Sequence, residues 1–90
     1  MKSSTRGGAA VRLIGIHTTE GVMAAVALRQ FFDRPDAKGS SHAGADSTGL
    51  LLDGADDGYV DHDRAAWTLR SGNPISDNLE LCAFARWTRA

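Results

Sequence analysis

This chain has almost no cysteine, little proline, few aromatics and no long apolar run. Cys82 is the single cysteine, so no internal disulfide is possible, and a reducing compartment during synthesis is compatible with that count. Cys82 lies in an apolar stretch and reads as a small buried hydrophobe rather than a nucleophile. No segment is long and apolar enough to span a bilayer, and no apolar core follows the basic start, so no secretory signal is expected. The formal net charge is only -1, which gives no electrostatic case for nucleic acid or an anionic membrane. The expected partners therefore include no nucleic acid and no membrane insertion. A cytoplasmic place of synthesis is expected.

What remains is ordinary globular composition: 42% hydrophobic and 23% charged residues in 90. That length suits one domain with a modest core. The ten glycines imply many turns and close backbone approaches. Residues 1–10 read as a flexible leader and 11–90 as the folded part.

Val11 to Ile16 reads as a buried strand, because its residues are apolar and partly β-branched. Thr18-Thr19-Glu20-Gly21 then reads as a helix start, with a threonine cap and an acid in the first turn. The helix is expected from Glu20 to Asp33, with Ala24, Ala25, Leu28, Phe31 and Phe32 on one stripe. Asp33-Arg34-Pro35 ends it. Short extended pieces are expected near Ser40, at Leu50–Leu52 and at Tyr59–Val60, with a turn at Gly54–Gly58 and a loop at Ser71–Pro74. Leu79 to Phe84 reads as a core strand, and Ala85 to Ala90 as the start of an amphipathic helix. No glycine, asparagine or proline stops that helix, so the chain is expected to be cut within an element. The fold class is α/β, a mixed sheet from the segments near Val11, Ser40, Tyr59 and Leu79 packed by helices.

Several patterns carry no chemistry. Asp53, Asp56, Asp57, Asp61 and Asp63 lack the glycine and terminal glutamate of an EF-hand loop. Gly7-Gly8 lacks the lysine and hydroxyl residue of a phosphate loop. His17 is different. It stands where the first strand is expected to meet the helix, a rigid place that can still face a cleft. Imidazole is the commonest metal ligand, so zinc is one reading. A histidine bonded to nearby backbone is the other. Trp67 reads equally as core or as a stacking surface. His42 and His62 read as surface or hydrogen-bonded structural residues.

Three ordered segments carry a resemblance: Ile14-Gly15-Ile16-His17-Thr18-Thr19-Glu20-Gly21, Gly39-Ser40-Ser41-His42, and Ala66-Trp67-Thr68-Leu69-Arg70-Ser71-Gly72-Asn73-Pro74 followed by Asn78-Leu79-Glu80-Leu81-Cys82. Together they resemble the type-2 N-acetylmuramoyl-L-alanine amidases, related to peptidoglycan recognition proteins, and most of all the amidase module of bacteriophage endolysins. The resemblance implies a zinc-dependent hydrolase of the bond between muramic acid and L-alanine, with bacterial peptidoglycan as partner and the cell wall as site of action after release. It implies His17 as first Zn²⁺ ligand and Glu80 as the acid that polarises the attacking water. It places Trp67 and Asn73 in the substrate cleft and His42 near it. Thr68 stands where the family commonly has histidine. The family's later ligands have no counterpart before Ala90, so the resemblance implies an incomplete zinc site and the N-terminal part of a domain. Association through the apolar residues Leu79, Leu81 and Phe84 is expected of such a part. A non-catalytic wall-binding module and an inactive gene remnant stay open as alternatives.

Overall fold

In the computed structural model, which describes residues 1–19 and 23–82, the organising element is a central strand, β6 (Ser76–Cys82). It pairs in parallel with β2 (Leu13–Thr19) on one side and with β3 (Ala43–Ala45) on the other. β3 continues antiparallel into β4 (Leu51–Asp53), giving a mixed four-stranded sheet in the order β2-β6-β3-β4. A second ribbon joins β1 (Ser3–Thr5) antiparallel to β5 (Arg64–Ala66). One helix, α1 (Ala25–Phe32), lies between β2 and β3 in the chain. The protein is thus a small α/β domain with a mixed sheet.

Strand alternation and register sort the side chains into two faces. His17, Asn78, Glu80 and Cys82 share one face with Gly15 and Gly44. Helix α1 covers part of this face: Leu28 and Phe32 pack against Cys82, with Met1 and Met23 alongside. Burying each of the two large side chains contributes about 1.5–3 kcal/mol. The opposite face carries Ile14, Ile16, Leu51, Leu79 and Leu81. Ile14 is 79% exposed, Ile16 63% and Leu51 56%.

The structure corrects several expectations. Thr18 and Thr19 belong to β2, so the strand runs further than Ile16 and neither threonine caps a helix. Thr19 donates to Glu80 across the strands instead. Helix α1 starts at Ala25, after an Ala24 cap residue that makes no side-chain bond. The capping acceptor is distant in sequence: Asp46 Oδ2 takes the Ala25 N–H at 3.0 Å. That bond, with those from Thr48, holds the Asp46 carboxyl below its usual range. A long-range cap leaves no local signal at the helix start. Phe31, expected in the apolar stripe, is exposed. The Glu20 helix start lies outside the described residues, as do Phe84 and the helix expected at Ala85 to Ala90.

Tyr59, expected in the sheet, packs beneath it. Its hydroxyl donates to Ala25 O at 2.8 Å, and burial pushes its pKa well above the usual phenol value. β4 takes the expected sheet position of Tyr59. Within the segment expected as a leader, Ser3–Thr5 form β1, paired with β5, and Arg6 is only 8% exposed. The Gly54–Gly58 turn is a short 3₁₀ helix, Ala55–Asp57, flanked by glycines with left-handed backbone. The Ser71–Pro74 loop is a second one, Arg70–Ile75.

Gly44 is where the packing is tightest. A Cβ there would lie 2.2 Å from the Tyr59 hydroxyl and 2.7 Å from its ring carbon. Gly44→Ala is therefore expected to destabilise the fold by about 1–3 kcal/mol through overpacking. Urea unfolding measures this. An unchanged midpoint would mean that Tyr59 does not lie across β3 in solution.

Candidate functional site

The five residues singled out from sequence fall in three places. The first is the pair His17 and Glu80, direct register partners on β2 and β6. Alternation puts Glu80 on the opposite face from Leu79 and Leu81. Its Oε2 accepts from Thr19 Oγ1 at 2.8 Å. His17 Nε2 is buried and has no hydrogen-bond partner among the described residues. Asn78 Oδ1 is orphaned in the same way, and both atoms face the Cα of Gly15. A Cβ at Gly15 would lie 2.2 Å from Asn78 Oδ1 and 3.3 Å from His17 Nε2.

An orphaned imidazole nitrogen is the kind of donor a metal uses, although here it lies over Gly15 while Glu80 Oε2 turns toward Thr19. A catalytic zinc, however, takes three protein ligands and a water. Among the described residues no group of three histidine, cysteine or acidic side chains converges on one point. These residues do not complete a zinc site. Cys82, on the same face, adds no thiolate: burial, with the Glu80 and Asp46 charges, pushes its thiol up to about 11.

The second place is a cleft of about 490 Å³ lined by Ser4, Lys38, Trp67, Thr68, Arg70 and Asn73. Trp67 and Asn73 meet here. Trp67 is 38% exposed, and its Nε1 donates to Ser4 Oγ at 2.8 Å. Asn73 sits in the Arg70–Ile75 helix, and its Oδ1 accepts the backbone N–H groups of Thr68 and Leu69. Its Nδ2 has no partner among the described residues, so it remains a free donor. Thr68 Oγ1 is a further unpartnered buried atom in this wall. Lys38, Arg70 and Ser4 carried no sequence signal. Arg70 has φ 53, and it is the one non-glycine residue with positive φ among those described. Left-handed backbone there costs about 1–2 kcal/mol, a strain often held at functional sites.

His42 occupies the third place and is fully buried. It therefore lines no cleft. Its Nδ1 accepts the Asn78 N–H at 3.0 Å, and its Nε2 lies 2.7 Å from Arg64 O. Those contacts assign a neutral ring with the proton on Nε2. Burial, aided by the Arg6 and His62 charges, lowers its pKa against the pull of the Arg64 carbonyl and Asp77. His62 stacks on it with ring centroids 5.2 Å apart. His62 has the opposite environment. Its Nε2 lies 2.6 Å from Asp53 Oδ1 and its Nδ1 2.7 Å from Asp77 Oδ1. Both nitrogens must donate, so the ring is an imidazolium. Burial opposes that charge, but the two carboxylates outweigh it and raise the pKa.

The two shifts give a signed pH dependence. His62, with its folded pKa raised, lends stability that is complete below about 6.5 and lost as pH rises through the folded value. His42, with its folded pKa lowered, lends stability that is complete above about 6.5 and is lost as pH falls from there through the folded value. Their sum predicts maximum stability near pH 6.5, with Asp53, Asp77 and Arg6 as the charges facing the pair. The alkaline limb should be shallow, about 1 kcal/mol or less, because the His62 pairs are half exposed. Urea midpoints from pH 5 to pH 9 test this. His62→Ala should remove the alkaline limb, and an unchanged limb would contradict the imidazolium assignment.

No protein-family model, curated protein or solved structure matches this chain, so its geometry stands without a relative to interpret it.

Proposed function

We propose that this chain is part of a zinc-dependent peptidoglycan hydrolase of the N-acetylmuramoyl-L-alanine amidase kind. The bond at issue is the amide between muramic acid and L-alanine of the stem peptide. The observation that carries the reading is the buried, unpartnered Nε2 of His17, a residue whose register partner on β6 is Glu80. A buried nitrogen without a partner is costly unless something else engages it. In this reading His17 is the ligand that this chain brings to Zn²⁺. Thr19 holds one oxygen of Glu80 and leaves the other free to move a proton. Trp67 and Asn73 bind the substrate. His42 serves that cleft only indirectly, because Arg64, whose carbonyl its ring meets, opens the strand leading to Trp67.

A second reading has its own support. The cleft shares no lining residue with the His17–Glu80 pair. A non-catalytic wall-binding module would need the cleft alone.

Two measurements test the proposal. The protein should sediment with insoluble peptidoglycan, and Trp67→Ala should weaken that about tenfold, the loss expected for one stacked aromatic. Zinc titration followed by imidazole NMR should move His17 first, with weak affinity, and His17→Ala should abolish that response. Sedimentation without a zinc response at His17 would favour the binding module. A response first at His62, with no sedimentation, sinks both readings. Release of L-alanine amino groups from the wall should stay near background, since one ligand does not build a catalytic zinc centre. Robust turnover that a chelator abolishes would show that further ligands of this chain converge on His17.

A further inference from the structure

We infer that the Trp67 cleft is a carboxylate receptor, which reads an acidic group carried beside a flat, weakly polar surface such as a sugar ring. The inference rests on the wall-processing reading for the identity of the ligand, and on the cleft itself for its charge. Of the six lining residues two are cations, Lys38 and Arg70, and none is acidic. Neither cation makes an ion pair or a side-chain hydrogen bond among the described residues. The cleft is therefore electropositive on a chain whose net charge is -1. Arg6, by contrast, is buried in carbonyl contacts, and Arg34 pairs with Asp36 at the surface.

The donors are also held in place. Arg70 projects from left-handed backbone at the head of the Arg70–Ile75 helix. Asn73 is fixed through its Oδ1 by two backbone N–H groups, which leaves Nδ2 to donate. Trp67 is tethered through Nε1 to Ser4, and its backbone N–H is held by Ser40 Oγ. A planar guanidinium, an ammonium and an amide suit a carboxylate, and the indole suits the ring beside it. The strain at Arg70 has a purpose on this account, because glycine would relax the backbone and lose the charge.

The test uses the whole chain and two probes: N-acetylmuramoyl-L-alanyl-D-glutamate, with both carboxylates free, and its diamide. Binding is read by calorimetry and by the Trp67 indole NMR signal. The acid should bind and shift that signal, and the diamide should bind at least tenfold more weakly, the loss expected when a charge-assisted contact is removed. Lys38→Ala should weaken the acid about tenfold. Arg70→Gly should weaken it similarly while raising the urea midpoint, since glycine accepts φ 53 without strain. A purely structural Arg70 would give the opposite pattern, unchanged binding with lower stability. Equal affinity for the diamide overturns the inference and leaves the wall reading intact. So does inorganic phosphate displacing the acid at equal concentration, which would mark an unselective anion site. If glucuronate binds and the muramoyl dipeptide does not, the carboxylate receptor stands and the wall reading falls.

Discussion

A buried guanidinium sets the constraint that the rest of this fold satisfies. Arg6 donates from Nε to His62 O at 2.9 Å, and from Nη1 to Ser76 O at 2.8 Å and Pro74 O at 3.2 Å. Its Nη2 lies 3.1 Å from His42 Nε2 and 3.7 Å from Asp77 Oδ1. A charge taken out of water costs several kcal/mol unless its donors find acceptors. Here the acceptors come from the segment before β5, the segment before β6 and β6 itself. The N-terminal ribbon is thereby fastened to the sheet. Leu28, Phe32 and Cys82 make a small apolar core, so this polar hub supplies much of the specificity that a larger core would provide. Its failure would release β1, β5 and the cleft together, because Ser4 and Trp67 belong to or follow those strands.

The same hub explains the contrast between the two histidines. His42 is sealed between Arg6, Arg64 O and the Asn78 N–H, where a second positive charge is unwelcome. His62 sits outside it between two carboxylates, where a positive charge is required. Asp77 lies against both rings, 3.2 Å from the proton-free His42 Nδ1 and 2.7 Å from the His62 Nδ1 that donates to it. Its charge favours the protonated form of both rings; burial with the Arg6 and His62 charges keeps His42 neutral, whereas at His62 the two carboxylates outweigh burial.

Legibility in the sequence followed the range of the interactions. The first strand as far as Ile16, the strand containing Glu80 and the short strand at Leu51 were readable from local apolar runs. So were the Gly54 and Gly58 turns, where left-handed backbone calls for glycine. The first strand, however, reads in sequence as buried and as ending before His17, whereas β2 runs on to Thr19 and leaves Ile14 and Ile16 exposed. The helix start was not readable, since its cap is Asp46, 21 positions after Ala25. The role of Arg6 was hidden for the same reason: a basic residue near a chain start looks solvated until its acceptors 56 to 70 positions away are known. At the candidate site, Trp67 and Asn73 could be paired from sequence, but Lys38 joins them only through the fold. Arg70 was invisible as a strained residue, because nothing in its side chain announces left-handed backbone.

Two kinds of unsatisfied group mark the described residues. At His17, Asn78 and Thr68 the unpartnered atoms are buried. At Lys38 and Arg70 they are solvated cations with no internal partner among the described residues. The first kind is a cost to folding, and a protein retains it where a ligand or function repays it. The second kind costs little, since water satisfies it, and is informative only through its company. The tether on Trp67, the fixed carbonyl of Asn73 and the backbone strain at Arg70 supply that company. None of the three stabilises the cations, yet all restrict the cleft that holds them. Restriction without internal stabilisation is what a binding site needs, because the ordering entropy is then met in folding and not charged against the ligand. The His17–Glu80 pair lacks that completeness: its donors are aligned in register, but they are too few to hold a catalytic metal. On the proposed reading the Trp67 cleft is consequently the better-built of the two sites, and the His17–Glu80 pair the one that needs more than the described residues provide.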